Sequence, residues 1–343
     1  MEDKTCIPNE DESLGRSTTH FFWFIVKPSD MYHPIQQFDE VINIEGWSPD
    51  EPFSIYPEGS REKTLWVSPP QPSHSFLIGN HRYLFKHSSH RYPTQFWCEI
   101  IAYRIGCLMG IPVPPAYAAW IPGKNQSAAI IEWFYKQNDD VYYEPGTAHM
   151  KKTLPEFDIQ KGSQHNIETL LQILENINKD LVLDILRIFV FDALIGNTDR
   201  HQDNWGLLWK GRPSQPTFAP AFDNGTSLGH EITEENLMNF IKNDNKIINY
   251  IEKGKHHIRW RLSESKNQCG HFDLIAWLLT KYPEYGKNLQ SCLDVDLAPL
   301  NTWLATLPHF AIPVTLTTNR VAFIERLVQL RLERLRTVIY RRE

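Results

Sequence analysis

Cysteine is scarce in this chain and unpatterned where it occurs. Cys6, Cys98, Cys107, Cys269 and Cys292 are an odd number, widely scattered, with no C-x-x-C spacing and no histidine at metal-ligand distance. This excludes a disulfide framework and a structural zinc site and leads us to expect a reducing compartment. Long hydrophobic runs are missing as well. The most apolar stretch, residues 181–195, carries Asp184, Arg187 and Asp192 and is too short to cross a bilayer. The run at 21–26, behind an acidic start, is too short for a signal-peptide core. A soluble, cytoplasmic protein with no membrane partner is the expectation. Nor is there an excess of positive charge: 35 Lys and Arg stand against 41 Asp and Glu, a formal charge of -6. That is the wrong sign for a protein that grips a duplex through its overall field, so no direct nucleic-acid partner is expected. Internal repeats are absent.

What is present is globular: 41% hydrophobic and 22% charged residues are enough for a sizeable core and unlike a disordered chain. Residues 1–56 read as a polar tail and an extension to which we assign no role. Residues 57–135 read as a sheet-containing lobe, with strands over 64–68, 83–86 and 127–134 and a helix over 94–109 capped by Thr94 and stopped by Gly110. Residues 136–343 read as a mainly helical lobe, with helices over 167–177, 181–195, 272–280 and 321–340. The last of these belongs to a segment with seven arginines between Arg320 and Arg342. We expect its apolar stripe on the core and its arginines in solvent, rather than an anionic partner.

The chemistry concentrates in residues 195–204, I-G-N-T-D-R-H-Q-D-N, which lie between the apolar helix and a strand candidate at 205–209. Helix, polar loop and strand in that order hold Asp199 and Asn204 on a rigidly flanked loop. Asp223 follows a second short strand, and a hairpin through 210–213 returns it to the side of Asn204. One amide and one carboxylate are adequate ligands for Mg²⁺ when nucleotide phosphates supply the rest, and a second Asp held off the metal can orient a hydroxyl and accept its proton. Taken singly, Asp199 is as well explained as a cap, Asn204 as a turn former and Asp223-Asn224-Gly225 as a type I′ turn. Jointly those readings leave the spacing unexplained. His201 reads as a brace for the loop. In the first lobe, Lys86 ends a strand and Glu99 on the next helix is a candidate ion-pair partner. Gly59, Ser60, Arg61, Glu62 and Lys63 form a small polar loop whose N–H groups suit phosphate.

These motifs resemble the HipA family of serine/threonine kinases, a branch of the protein-kinase-like superfamily, over about residues 59–229. The resemblance implies an α+β fold of two lobes, a sheet-containing N-lobe and a mainly helical C-lobe, with ATP and Mg²⁺ between them and a protein as substrate. It makes Asp199 the catalytic aspartate, Asn204 and Asp223 the metal ligands, and Lys86 the lysine that touches the nucleotide. Ser60, Arg61, Glu62 and Lys63 fall in the phosphate loop, Glu99 on the regulatory-type helix, and His201 in the catalytic loop. Glu132 and Phe134 fall at the hinge, where their backbone would bond adenine. An antitoxin-type partner is also implied, although Glu58 stands where the family toxins carry an autophosphorylated serine, and the amino-terminal part is too short for their complete additional domain. A lipid or small-molecule kinase and a nucleotide-binding scaffold without transfer remain open at this point.

Overall fold

A computed structural model describes residues 37, 39–50, 63–136, 139–211 and 215–340. The first lobe is built on one sheet of six strands in the order β1-β5-β6-β4-β3-β2. These are β1 (Ile42–Asn43), β2 (Ser48–Pro49), β3 (Lys63–Val67), β4 (Arg82–His87), β5 (Ala116–Ile121) and β6 (Gln126–Glu132). Only β1 and β5 run parallel; the other pairs are antiparallel. β4 is central and buried along most of its length, which its aromatic and aliphatic run permits, and β6 carries Ala128 and Ala129 where it lies between β4 and β5. Ala129 lies on the face where its small side chain leaves room for α1 (Phe96–Met109), which packs on β5 and β6, and Ala128 lies on the opposite face. The other face is closed by a second apolar cluster that includes Ile42, Trp47, Tyr83, Phe85 and Ile130.

The helix begins two residues later than its sequence predicts. Thr94 contributes only its carbonyl, to Trp97 N (3.1 Å), and the side chain that caps the start is Ser88, whose hydroxyl accepts the Phe96 N–H at 2.8 Å. Gly110 ends the helix in the left-handed region, at φ 64°, a conformation that glycine adopts without a Cβ penalty. Trp97 fixes α1 to the rest of the molecule: its indole donates to the Val314 carbonyl at 2.9 Å.

The second lobe is mainly helical. A three-stranded sheet, β7 (Val141–Pro145), β8 (Gly206–Lys210) and β9 (Thr217–Phe218), flanks α2 (Gly146–Thr153), α3 (Ile167–Ile177) and α4 (Asp180–Ile195). α5 (Glu234–Ile241) and α6 (Asp244–Lys253) lead to the hairpin of β10 (Lys255–Arg259) and β11 (Gln268–Gly270). α7 (His271–Lys281), α8 (Gly286–Ser291), α9 (Ala298–Leu304) and α10 (Thr318–Tyr340) complete the lobe. α4 is buried around nearly its whole circumference, which explains its apolar sequence, and α3, α7 and α10 all pack on it. The result is a two-lobed α+β fold.

The hairpin expected between Trp205 and Asp223 is present, with Leu207 opposite Phe218 and Leu208 opposite Thr217. The arginines of α10 correct the sequence reading. Arg320 and Arg331 are buried rather than solvated: Arg320 bonds the Gly229 and Ile232 carbonyls and Glu234, and Arg331 bonds the Ala193 carbonyl. Their long stems take apolar cover while backbone oxygens accept from the guanidinium groups, leaving Arg331 Nε without a partner among the described residues, and an amphipathic count cannot distinguish this from exposure.

Candidate active site

Residues far apart in sequence meet at Lys86. It lies near the end of β4, 1% exposed, opposite Ala129 of β6 and Lys63 of β3. Its ammonium bonds Glu99 Oε1 on α1 and lies 2.5 Å from Asp223 Oδ1. The other oxygen of Glu99 accepts the Asn224 N–H at 2.8 Å. Glu99 therefore holds both the lysine and the backbone just after Asp223, and one buried carboxylate joins the two lobes. A buried acid and a buried lysine are stable when paired in this way, because each removes the uncompensated charge of the other.

Asp223 is half-buried and sits in the left-handed region, at φ 57°. Asn224 and Gly225 do not share that conformation, so the segment is not a type I′ turn, which needs two successive residues with positive φ. One residue out of line turns the Asp223 carboxylate toward Lys86.

The candidate catalytic loop is organised by a buried cation and a buried acid. Asp192 stands in the last turn of α4, fully buried, and Arg200 takes it in both hands: Nε to Oδ2 at 3.0 Å and Nη2 to Oδ1 at 2.7 Å. The same guanidinium donates to the Asn204 carbonyl (3.1 Å), to the Phe222 carbonyl and to Asn224 Oδ1 (2.7 Å). Arg200 thereby clamps the loop that bears Asp199 and Asn204 to the segment that bears Asp223. Burial would raise the Asp192 carboxyl, but the Arg200 charge and the His256 hydrogen bond outweigh it and bring it down to about 2.

Within the loop, Asn197 Oδ1 accepts the Asp199 N–H at 3.0 Å. The Asp199 carbonyl accepts from Asn204 Nδ2 (2.7 Å) and from the His201 N–H (2.9 Å). The amide nitrogen of Asn204 is thus committed to the loop, which leaves its carbonyl oxygen as the atom to offer a cation. His201 turns to Asp203, whose N–H it accepts at Nδ1 (3.2 Å), and its ring lies 5.8 Å from that of His257. It braces the loop, in agreement with its reading from sequence. Asp203 also takes the Thr147 hydroxyl.

At the hinge, Glu132 donates its N–H to Pro115 O (2.8 Å) and Trp133 donates to Arg82 O (3.0 Å). The ring of Phe134 lies 5.6 Å from Phe222, the neighbour of Asp223, and 5.6 Å from Tyr143. An aromatic wall therefore runs from the hinge to the metal-ligand candidate. Ser60, Arg61 and Glu62 lie outside the described residues, as does Glu58; Lys63 is described as the first residue of β3 only.

The donor set fits a hard divalent cation. It offers an amide oxygen at Asn204 and a carboxylate at Asp223, both hard oxygen donors. Among the described residues no group of three His, Cys, Asp or Glu side chains can hold a metal unaided. A cation here needs a further oxygen-bearing ligand, as Mg²⁺ bound with a nucleotide does.

Sequence reasoning missed Arg200, Asp192 and the aromatic wall. Asp192 did carry a signal: an acid inside an otherwise apolar helix requires a buried partner.

Comparison with known proteins agrees with this architecture. The family model of the HipA-like C-terminal domain matches residues 56–272, and the chain belongs to that family. It is similar to the serine/threonine-protein kinase CtkA of Helicobacter pylori, 27% identical over 157 residues that cover 42% of this chain and 48% of that protein. The chain thus spans about half the length of the curated relative it matches. Among solved structures, a Helicobacter pylori proinflammatory kinase CtkA superposes with a TM-score of 0.67 at 16% identity, over 88% of this chain and 98% of that one. The HipA of a Shewanella oneidensis toxin–antitoxin complex with HipB and operator DNA gives a TM-score of 0.48 at 13% identity, over 83% and 67%.

Proposed function

We propose that the protein is a kinase that transfers the γ-phosphoryl group of ATP, with Mg²⁺, to a Ser or Thr hydroxyl of a protein substrate. The observation that carries this reading is the convergence of Lys86, Glu99 and Asp223 with a loop that Arg200 fixes beside them. Phosphoryl transfer asks little covalent chemistry of the protein and much positioning, and a rigid, cross-braced set of charges answers that demand. Membership of the HipA-like family and similarity to a named protein kinase support the same class.

In this reading Asp199 orients the acceptor hydroxyl and takes its proton. Lys86, held by Glu99, exchanges part of its contact with Asp223 for phosphate oxygens. Asn204 Oδ1 and Asp223 hold Mg²⁺, which when bound neutralises charge on the phosphates. The backbone of Glu132 and Phe134 receives adenine, with the ring of Phe134 beside it, and Ser60, Arg61, Glu62 and Lys63 are the phosphate-loop candidates by family resemblance. His201 keeps the loop in register through Asp203.

Incubation of the purified protein with γ-labelled ATP and Mg²⁺, followed by mass spectrometry of labelled products from a cell lysate, tests the reading. Phosphoserine or phosphothreonine in proteins is the expected product. Label found only in lipid or metabolite fractions would replace the acceptor class, and ATP binding with no transfer to anything would remove the enzyme.

A further inference from the structure

A cavity of about 420 Å³ adjoins the catalytic loop and uses none of the residues assigned above to nucleotide or metal. Thr198, Lys253, Lys255, Gln268 and Arg331 contribute to its wall. Lys253 and Lys255 flank Gly254 at the turn from α6 into β10 and are exposed at the rim, whereas Arg331 of α10 lies beneath, 1% exposed.

Arg331 is incompletely satisfied. Its Nη1 donates to the Ala193 carbonyl (2.9 Å), while its Nε finds no hydrogen-bond partner among the described residues. Burial brings this guanidinium down to about 10, with Tyr250 and Glu231 opposing the fall. A buried donor left unmade costs free energy, and the guanidinium meets the cavity through Nη2, which lies 3.5 Å from where a Cβ on the lining residue Gly254 would stand.

The surroundings hold the guanidinium against the loop. A Cβ on Gly196, the residue after α4, would lie 2.7 Å from the guanidinium carbon, so Arg331 packs directly on the backbone where the catalytic loop begins. Three cations line the cavity with one acid, Glu231, and that carboxylate already accepts the Tyr250 hydroxyl (2.8 Å). The balance is positive. Thr198 immediately precedes Asp199, and successive Cα atoms are about 3.8 Å apart. The cavity wall therefore includes the residue next to the proposed base.

We propose that this pocket binds an oxyanion borne by the protein substrate, a carboxylate or a phosphoryl group within a few residues of the acceptor hydroxyl, and so selects acidic or already phosphorylated segments. The inference rests on the kinase reading above and assigns its substrate class.

The test uses one serine peptide made in three forms, with alanine, glutamate or phosphoserine placed at successive flanking positions. Binding of each is measured by fluorescence anisotropy without nucleotide, and transfer to each is measured with ATP and Mg²⁺. At one flanking position the glutamate and phosphoserine forms should bind at least about tenfold more tightly than the alanine form, a factor one charge-assisted contact supplies. Two variants are compared, Lys253→Glu with Lys255→Glu, whose exposed side chains can be changed without disturbing the core, and Arg331→Lys. Each should reduce the acidic-to-alanine ratio at least about fivefold. Equal binding of all three peptides, or a ratio unchanged in both variants, would overturn the proposal. Competition by inorganic phosphate with no preference among peptides would assign the pocket to a free anion and overturn the substrate assignment. Preferential binding without transfer to any peptide supports the pocket and removes the kinase reading; transfer without preference does the reverse.

Discussion

Arg200 and Asp192 form a two-point ion pair inside the molecule, 3.0 and 2.7 Å between their heavy atoms, with both side chains almost wholly out of solvent. Because Arg200 also bonds the Asn204 and Phe222 carbonyls and Asn224 Oδ1, this pair sets the spacing between the two halves of the proposed metal site. Arg200→Met leaves Asp192 charged and buried with only His256 and Asn197 as partners. The expected loss is about 3–5 kcal/mol of stability by urea denaturation. Arg200→Lys, which retains charge but not the fork, should fold better than Arg200→Met and still lose Mg²⁺-dependent nucleotide affinity. Wild-type affinity in Arg200→Lys would contradict a positioning role.

The same pair fixes a dependence on acid. The Asp192 carboxyl is held at about 2, below its ordinary 3.8. A depressed carboxyl contributes stability that is present above the unfolded value and lost as pH falls toward the folded one, here on the order of 2 kcal/mol between about pH 4 and pH 2. Burial holds His271 down at about 3 and His257 at about 3, so both resist protonation in the folded state and add to the loss as pH falls below about 6.5. Urea midpoints should decline from pH 4 down to pH 2, below the range in which the raised carboxyl of Glu132 titrates. In Asp192→Asn the part of the decline below pH 4 should be smaller.

Lys86 stands between two carboxylates, so its removal exposes their repulsion as well as removing a phosphate contact. Lys86→Met should lower transfer by at least about 100-fold, the scale of one lost electrostatic donor at a reacting centre. Glu99→Gln keeps one acceptor oxygen, for either the lysine or the Asn224 N–H but not for both, and it should lose less than Lys86→Met because the ammonium remains. Initial rates with labelled ATP compare the two. A larger loss in Glu99→Gln than in Lys86→Met would contradict the assigned roles.

Glu132 provides a test in the alkaline direction. Burial pushes its carboxyl up to about 7 from the ordinary 4.5, with the charge of Lys136 opposing. A raised acid leaves stability intact below its unfolded value and withdraws it as pH climbs through the folded one. Glu132→Gln should therefore be more stable than wild type at pH 8, by on the order of 2 kcal/mol, and equal to it at pH 4. Differential scanning fluorimetry at the two pH values measures the difference.

Much of the site was legible because its spacing is local. Asp199 and Asn204 share one loop, and the turn residues between Trp209 and Thr217 announce the hairpin that returns Asp223. The pairing of Lys86 with Glu99 was legible for a similar reason, since strand and helix are adjacent in sequence. The contact between Lys86 and Asp223 bridges 137 positions and belongs to the packing of one lobe on the other, which no periodicity encodes. Arg200 was hidden by type: an arginine in a polar loop reads as solvated, and only the depth of Asp192 in α4 marks it as a partner. The two buried arginines of α10 escaped for the converse reason. β7 was overlooked because Val141, Tyr142 and Tyr143 precede a proline, which weakens a strand signal, although pairing with β8 holds it.

The most direct measurement places wild type beside Asp199→Ala, with nucleotide binding followed by calorimetry and transfer from γ-labelled ATP followed by autoradiography, both with and without Mg²⁺. The account predicts Mg²⁺-dependent binding of similar strength in the two proteins and transfer reduced at least about 100-fold in Asp199→Ala. Undiminished transfer by Asp199→Ala, or wild-type binding indifferent to Mg²⁺, would contradict it.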